Sequence, residues 1–217
     1  MRTSKAILSK PSVAVVCDGE CESWYVQMLR RNEPSLGVTL KPEIPQKKKR
    51  KELFERVKEL SKHYDKVFWV VDYDAINSEE KDAKKGEESP GQEFKKFVQA
   101  LEKQHDNVVV IVNSPCLEFW LLLHFEETGK FFDLCEKAAK QLKKYLPDYE
   151  KSAKYYTKQD KDIYLRLKPH LKAALANSKK LKAFDLDNPD QAMSQMHLFF
   201  ESDEIKKILE AEPKTQK

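Results

Sequence analysis

Three short runs of the chain are apolar and rich in β-branched residues, without alternating polar positions. They are Ser12 to Cys17, Lys66 to Val71 and Val108 to Val112. A strand that is buried on both faces has this pattern, and such strands belong to parallel sheets. A shorter extended segment, Gly37 to Ile44, is interrupted by Pro42. The pattern therefore predicts a mainly parallel sheet with a buried centre.

Between these runs, apolar residues recur at the i, i+3, i+4, i+7 spacing of amphipathic helices. Helices are predicted for residues 22–31, 53–63, 93–104 and 117–125, and a polar loop for residues 78–91. Ser114 and Pro115 are expected to start the last of these helices, as N-cap and first helical residue. Because strands and helices alternate, right-handed crossovers are required, and the fold class predicted is a doubly wound α/β fold.

After residue 130 the pattern changes, because no further β-branched run occurs. Helices are predicted for residues 131–146, 160–181 and 188–211, with a kink at Pro169. One compact domain with an appendage suits a chain of 217 residues. We therefore predict an α/β domain at residues 1–128 and an α-helical appendage packed on it at residues 129–217.

Acidic residues follow two of the buried strands. Glu20 and Glu22 come after the first strand, and Asp72 and Asp74 come after the second. Ligands of parallel sheets bind at the carboxyl ends of the strands. Because alternate residues of an extended segment point the same way, Asp72 and Asp74 are expected to aim at one point, with Glu20 and Glu22 beside them.

Carboxylates gathered in this way repel each other, and a divalent cation removes the repulsion. Oxygen ligands without His or Cys favour Mg²⁺ or Mn²⁺ over zinc. The predicted metal ligands are Glu20, Asp72 and Asp74. An acidic residue after a strand also commonly caps the next helix, so each residue alone has an ordinary explanation. The prediction of a metal site depends on these acidic residues occurring together.

Composition adds a mild preference for an anionic partner. Lys and Arg number 40 against 36 Asp and Glu, a net charge of +4. Two basic segments are candidates for nucleic-acid binding, and the second also contains tyrosines. Their residues are Lys47, Lys48, Lys49 and Arg50 in the first, and Lys154, Lys158, Lys161 and Arg166 in the second. The alternative for both is a solvated loop or helix face.

The four cysteines lack the CxxC spacing of a zinc site. We expect them to be buried, reduced thiols, which is typical of a reducing cytoplasm. The N-terminus has no signal-peptide pattern, and the apolar run Leu117 to Phe125 is too short to cross a bilayer. A cytoplasmic protein without a membrane partner is therefore expected. No phosphate-binding GxxxxGK[ST] motif and no GxSxG motif occurs.

Several of these segments resemble known motifs. VAVVCDGECESWY resembles the first Toprim motif, VFWVVDYDA resembles the second, and NSPCLEFWLLLHF is similar to the signature of the RloB-like family. The later segments YYTKQDKDIY and DNPDQAM also resemble family segments, so that the likeness runs from about Val13 to Phe199. The usual first motif of the family resembles CEGExTE, and Asp18 is a conservative departure from it.

The resemblance implies a Toprim-like fold from a group linked to restriction-modification loci and phage abortive infection. It implies that Glu20 acts as general acid/base or metal ligand and that Asp72 and Asp74 bind the metal. Glu118 and His124 are further catalytic candidates within the third motif, and Glu22 within the first. The alternatives are a helix-start charge for Glu118 and a structural histidine for His124.

The function implied is a Mg²⁺-dependent nuclease that cleaves phosphodiester bonds of DNA or RNA, with one or two metal ions, in anti-phage defence. The alternative is a non-catalytic Toprim-like sensor or interaction module whose partner is another protein of a defence system.

Overall fold

The computed structural model describes residues 10–36, 38–43, 49–82, 88–182, 184–185 and 187–206. Its centre is a five-stranded sheet with the order β2-β1-β3-β4-β5. The strands are β1 (Ser12–Cys17), β2 (Thr39–Glu43), β3 (Lys66–Asp72), β4 (Val108–Ser114) and β5 (Met193–Ser194). The first four are parallel, and β5 pairs antiparallel with β4. The predicted mainly parallel sheet is confirmed.

Helices cover both faces of the sheet. They are α1 (Glu20–Asn32), α2 (Arg50–Leu60), α3 (Tyr73–Asp82), α4 (Pro90–Gln104), α5 (Leu117–Leu123), α6 (Cys135–Leu142), α7 (Ala153–Tyr156), α8 (Ile163–Leu167), α9 (Leu171–Lys179) and α10 (Met196–Phe200), with 3₁₀ turns at Pro34–Leu36 and Lys168–His170. Within the described ranges, no helix has the length and apolar character needed to span a bilayer.

Successive residues of each strand point to opposite faces and so enter two separate cores. Val13 and Val15 pack in a core with α1, α5 and the C-terminal helices, whereas Ala14 and Val16 pack in a core with α2, α3 and α4. Pro42 is tolerated in β2 because this strand lies at the edge of the sheet. The doubly wound α/β architecture is therefore confirmed.

Two local predictions about these helices are wrong. Residues 78–82 continue α3 instead of opening a loop. Only Tyr73 and Ile76 of this helix are buried, so its sequence lacks an extended apolar period. Ser114 does not cap α5, because it is the last residue of β4 and pairs with Met193. Cys116 is the N-cap, and α5 begins at Leu117.

The segment after residue 128 is less helical than predicted. The predicted helix over 131–146 covers only α6, the one over 160–181 is divided by the turn that contains Pro169, and residues 193–194 of the third form β5. Ser194 donates a hydrogen bond of 2.7 Å to Asn113 Oδ1, which fixes this short strand against β4. Residues 207–211 of the predicted helix lie outside the described residues.

The C-terminal helices share a core with α1, α5 and one face of the sheet. Arg31 pairs with the buried Asp162 at 2.6 Å, and Tyr164 donates a hydrogen bond of 2.8 Å to Glu33. These contacts attach α8 to the end of α1. The predicted division between residues 128 and 129 stays a prediction.

Candidate functional site

The chain changes direction next to β1, since β2 lies on one side of this strand and β3 on the other. Open α/β sheets bind ligands at such a switch point, beyond the carboxyl ends of the strands. Four carboxyl groups lie there, and we name them the carboxylate cluster. They are Glu22 in the first turn of α1, Asp72 at the end of β3, Asp74 in the first turn of α3 and Glu118 in the first turn of α5.

Interatomic distances link three of these groups through the neighbouring cysteine sulfurs. A carboxyl oxygen of Asp72 and one of Glu118 lie within 4.8 Å of each other and of Cys116 Sγ. Asp74 presents an oxygen within 4.8 Å of the sulfurs of Cys116 and Cys135. The backbone N–H of Asp74 donates a hydrogen bond of 2.9 Å to the carbonyl of Pro115, which joins the start of α3 to the segment before α5.

Within the cluster, Glu22 is buried and Asp72 is half-buried. Burial raises the pKa of both carboxyl groups, and the charge of Glu118 raises both further. A hydrogen bond between the two carboxyl groups, which forms only when one of them carries a proton, would offset part of this rise for the pKa of Glu22. When both are ionised, Asp72 Oδ1 is a buried oxygen without a hydrogen-bond donor.

Gly19, the N-cap of α1, makes room for Glu22. A Cβ atom at position 19 would lie 2.6 Å from Glu22 Oε2, which is closer than such atoms approach. The φ angle of Gly19 is −131°, which any residue adopts. The glycine is therefore needed for the close approach of the carboxyl group and not for its backbone conformation.

Glu118 is fully buried but well supplied with donors. Its Oε1 accepts a hydrogen bond of 2.7 Å from the Tyr149 hydroxyl and pairs with Lys151 Nζ at 3.1 Å. Burial lowers the pKa of Lys151, but the charge of Glu118, its hydrogen bond and the neighbouring acidic groups together raise the pKa above its usual value. The Lys151 side chain is 52% exposed, so this ammonium group connects the buried carboxylate with solvent.

A cleft of about 400 Å³ opens at Glu118, Tyr149 and Lys151. The sequence analysis did not identify Tyr149 or Lys151. Both lie in a segment without apolar periodicity, between α6 and α7, and more than 30 positions after Glu118 in the chain. No local pattern signals them, because their role depends on how the C-terminal segment folds back over α5.

Two of the four cysteines are bonded to each other, so the prediction of four reduced thiols is wrong. Cys116 and Cys135 form a disulfide beside the carboxylate cluster, whereas Cys17 and Cys21 are buried free thiols as predicted. Cys135 Sγ lies 2.9 Å from Glu118 Oε2. A disulfide sulfur carries no hydrogen, so this contact is a hydrogen bond only when the pair is reduced. The cytoplasmic location stays a prediction.

Glu20 faces solvent and is not part of the cluster as defined above. It is the first residue of α1 and is exposed, whereas Glu22 is buried. Among the described residues, no group of three candidate metal ligands includes Glu20. The assignment of Glu20 as catalytic residue and metal ligand stays a prediction, and Glu22 is the glutamate of the first motif that the structure brings to Asp72.

His124 lies away from the cluster, at the C-cap of α5, which is about 9 Å along the helix axis from Glu118. Its Nδ1 lies 3.0 Å from the carbonyl of Trp120, and its ring contacts the rings of Trp120 and Phe125. Burial lowers the pKa of His124 to about 3, so the ring is neutral. This environment fits the structural alternative, and a catalytic role for His124 stays a prediction.

The predicted nucleic-acid-binding residues are distributed over separate surfaces. Lys47 and Lys48 lie outside the described residues. Arg50 is largely buried and pairs with Glu79 at 2.9 Å. Arg166 makes two hydrogen bonds of 3.0 Å to Asp148. Lys49, Lys154, Lys158 and Lys161 are exposed.

The tyrosines near the second basic segment do not face solvent. Tyr155, Tyr156 and Tyr164 are buried, and the Arg166 guanidinium lies over the Tyr155 ring. Buried rings cannot stack on the bases of a single strand. The aromatic residues of this segment therefore serve the core, and nucleic-acid binding by its lysines stays a prediction.

Asp18 contributes a further perturbed carboxyl group at the end of β1. Burial raises its pKa to about 7, although the Trp69 indole N–H donates a hydrogen bond of 3.1 Å to its Oδ1. The residue that departs from the usual glutamate of the first motif is thus held by the neighbouring strand β3.

The cluster suits a hard divalent cation. Its potential ligands are carboxyl oxygens, since disulfide sulfurs are not thiolates, and such oxygens are the ligands that Mg²⁺ prefers. The undonated Asp72 Oδ1 and the nearby oxygen of Glu118 are the atoms best placed to receive it. Asp74 is the third candidate.

Comparisons with known proteins agree with the resemblance noted in the sequence. Neither a curated protein nor a solved structure matches the chain significantly. The family model described as RloB-like protein matches residues 13–202, from β1 to beyond α10. The match includes every residue of the carboxylate cluster, and the chain belongs to the RloB-like protein family.

Proposed function

We propose that the chain is a Mg²⁺-dependent nuclease of Toprim type that cleaves phosphodiester bonds of nucleic acid. One observation carries the proposal: Glu22, Asp72, Asp74 and Glu118 meet at the switch point of the sheet, with a buried oxygen of Asp72 left without a donor. Several buried carboxylates at one point destabilise a fold unless a cation or protons neutralise them. Such an arrangement is typical of functional sites.

The proposal assigns a task to each group. Asp72, Glu118 and Asp74 would hold Mg²⁺ or Mn²⁺, which when bound polarises the phosphodiester and stabilises negative charge on its oxygens. Lys151 stands beside Glu118 at the cleft and is placed to pair with a phosphate oxygen. Burial raises the pKa of Glu22, so this carboxyl group is placed to hold or release a proton next to the site.

Metal binding and cleavage test this assignment separately. We expect calorimetric uptake of Mg²⁺ or Mn²⁺ and metal-dependent cleavage of labelled DNA or RNA, and both should be lost in Asp72→Asn. Asp106→Asn, in an exposed turn between α4 and β4, is the matched control. Full cleavage by Asp72→Asn would refute the proposal.

Glu20→Gln and Glu22→Gln distinguish the two glutamates of the first motif. Because Glu22 is buried beside Asp72 and Glu20 is exposed, we expect the larger loss of cleavage in Glu22→Gln. A larger loss of cleavage in Glu20→Gln would assign the catalytic role of the first motif to Glu20, and Glu22 would then be a supporting group.

A second candidate, a non-catalytic sensor or interaction module, is favoured by one observation. Lys151 pairs with Glu118, and burial raises the pKa of Glu22 and of Asp72, so a protein cation and bound protons can balance part of the charge without a metal ion. This candidate predicts no cleavage of DNA, RNA or tRNA with either metal, together with tight binding of a protein partner. A role in phage defence rests on family membership for both candidates.

A further inference from the structure

The surface over α6 carries a concentration of unpaired lysines next to the candidate site. A cleft of about 860 Å³ runs along this helix and is lined by five lysines and one aspartate. We name it the α6 groove, and its lysines are Lys130, Lys137, Lys140, Lys143 and Lys144. Asp133 neutralises only Lys137, at 2.7 Å.

The remaining lysines of the α6 groove lack acidic partners. In the part of the chain that the structure describes, no carboxylate lies within ion-pair distance of Lys140, Lys143 or Lys144, and all three are exposed. In the basic segments named from the sequence, Arg50 and Arg166 are paired with carboxylates, whereas Lys154, Lys158 and Lys161 are exposed, so the second segment is the competing surface. A groove whose positive charge is left uncompensated is complementary to an anionic polymer.

The α6 groove leads to the carboxylate cluster. Lys140 and Lys143 line both this groove and the cleft that opens at Glu118, so the two depressions are neighbours. Lys151 lies at the far end of the smaller cleft, where it pairs with Glu118. The smaller cleft also contains the exposed Glu136 and Glu150, so the excess of positive charge lies in the α6 groove itself.

An exposed aromatic ring accompanies the lysines. Phe131 lines the α6 groove and is 37% exposed, although phenylalanine is normally buried. Single-strand binders combine a basic groove with aromatic side chains on which bases stack.

From these observations we infer that the α6 groove binds single-stranded nucleic acid and leads its phosphodiester backbone to the carboxylate cluster. Lys140, Lys143 and Lys144 contact the phosphates, and Phe131 stacks on a base. The inference rests on the proposed function for its direction towards the cluster, but the binding itself requires neither metal nor cleavage.

Binding is therefore measured without divalent metal, by fluorescence anisotropy of labelled oligonucleotides in the presence of EDTA. The probes are single-stranded DNA, single-stranded RNA and duplex DNA, each of about 20 nucleotides or base pairs, which exceeds the site size of known single-strand modules. We expect both single strands to bind more tightly than the duplex. The RNA and DNA arms show which sugar is preferred.

The decisive variant is Lys140→Glu/Lys143→Glu, for which we expect a loss of at least about tenfold in single-strand affinity and a smaller salt dependence. Lys62→Glu/Lys103→Glu has the same change in charge at exposed positions of α4 and the segment after α2, and its affinity should stay within about twofold. Phe131→Ala should weaken binding by about 5- to 100-fold, with an almost unchanged salt dependence. Circular dichroism confirms that each variant is folded.

The following results would each overturn the inference. One is an equal loss of affinity in the control variant. Another is duplex binding as tight as single-strand binding, together with an unchanged affinity in Phe131→Ala. A further one is the absence of binding by the unaltered protein. Loss of binding only in Lys154→Glu/Lys158→Glu would also overturn it and would favour the other basic segment. Single-strand binding through the α6 groove without any cleavage would refute the proposed nuclease and leave this inference standing.

Discussion

Replacement of Asp72 by Asn has an unusual expected result, because it should stabilise the metal-free protein while it abolishes metal binding. Asp72 lies beside Glu22, Glu118 and Asp74, and the charges of these three groups raise its pKa together with burial. Asn has nearly the same shape but carries no charge. The substitution therefore removes repulsion without leaving a cavity.

The magnitude follows from the geometry. Charges on Asp72 and Glu118, whose nearest oxygens lie within 4.8 Å, repel each other by at least about 3.5 kcal/mol at an effective dielectric constant of about 20. Part of this repulsion is already relieved, because burial favours the protonated form of Asp72 and because Lys151 attracts its charged form. We expect Asp72→Asn to raise the free energy of unfolding by about 1–2 kcal/mol at about pH 8, or roughly 3–6 °C in Tm.

Thermal unfolding in EDTA and in excess Mg²⁺ checks both parts of this prediction. A ligand at about 100 times its Kd stabilises a protein by about 2.7 kcal/mol, and this increment should appear in the unaltered protein and disappear in Asp72→Asn. Asp106→Asn should keep the increment and the original Tm in EDTA. A lower Tm of Asp72→Asn in EDTA, or an unchanged response to Mg²⁺, would refute the reasoning.

Three further predictions concern the surroundings of the cluster. Lys151→Met leaves the buried Glu118 without its cation, so the free energy of unfolding should fall by about 1–2 kcal/mol. The loss is smaller than for a fully buried pair because Lys151 is half exposed. Chemical denaturation with and without Mg²⁺ measures the loss, and an unchanged stability would contradict the prediction. Gly19→Ala displaces the Glu22 carboxyl group. We therefore expect the affinity for Mg²⁺ in calorimetry to weaken by about tenfold, with little change in Tm. An affinity equal to that of the unaltered protein would show that Glu22 does not support the metal. Asp18 keeps its proton to about pH 7 in the folded protein, against a usual pKa of 3.8, so the folded state binds more protons than the unfolded state between these values. The free energy of unfolding therefore falls as the pH rises through this range, by at most about 4 kcal/mol. Asp18→Asn should flatten this part of the stability profile, and an unchanged slope would argue against a buried, protonated Asp18.

The sequence by itself determined the sheet and its functional edge. Apolar runs without alternation predicted β1, β3 and β4, because a strand covered on both faces has no polar side to display. Asp72 and Asp74 follow a buried strand directly, so their position at the carboxyl end of the sheet followed from the chain alone. Their shared direction did not follow from strand alternation, since the chain enters α3 at Tyr73.

Only the tertiary structure decided which other groups meet these aspartates. Glu20 and Glu22 are two positions apart at the start of α1, and helical rotation about the axis leaves one exposed and buries the other. Lys151 and Tyr149 reach Glu118 from a connecting segment without apolar periodicity, and Cys135 reaches it from the start of α6. A local pattern records burial and periodicity, whereas contacts between distant segments depend on how the C-terminal helices pack over α5. For the same reason, the α6 groove is a feature of the folded surface that no run of residues in the sequence reveals.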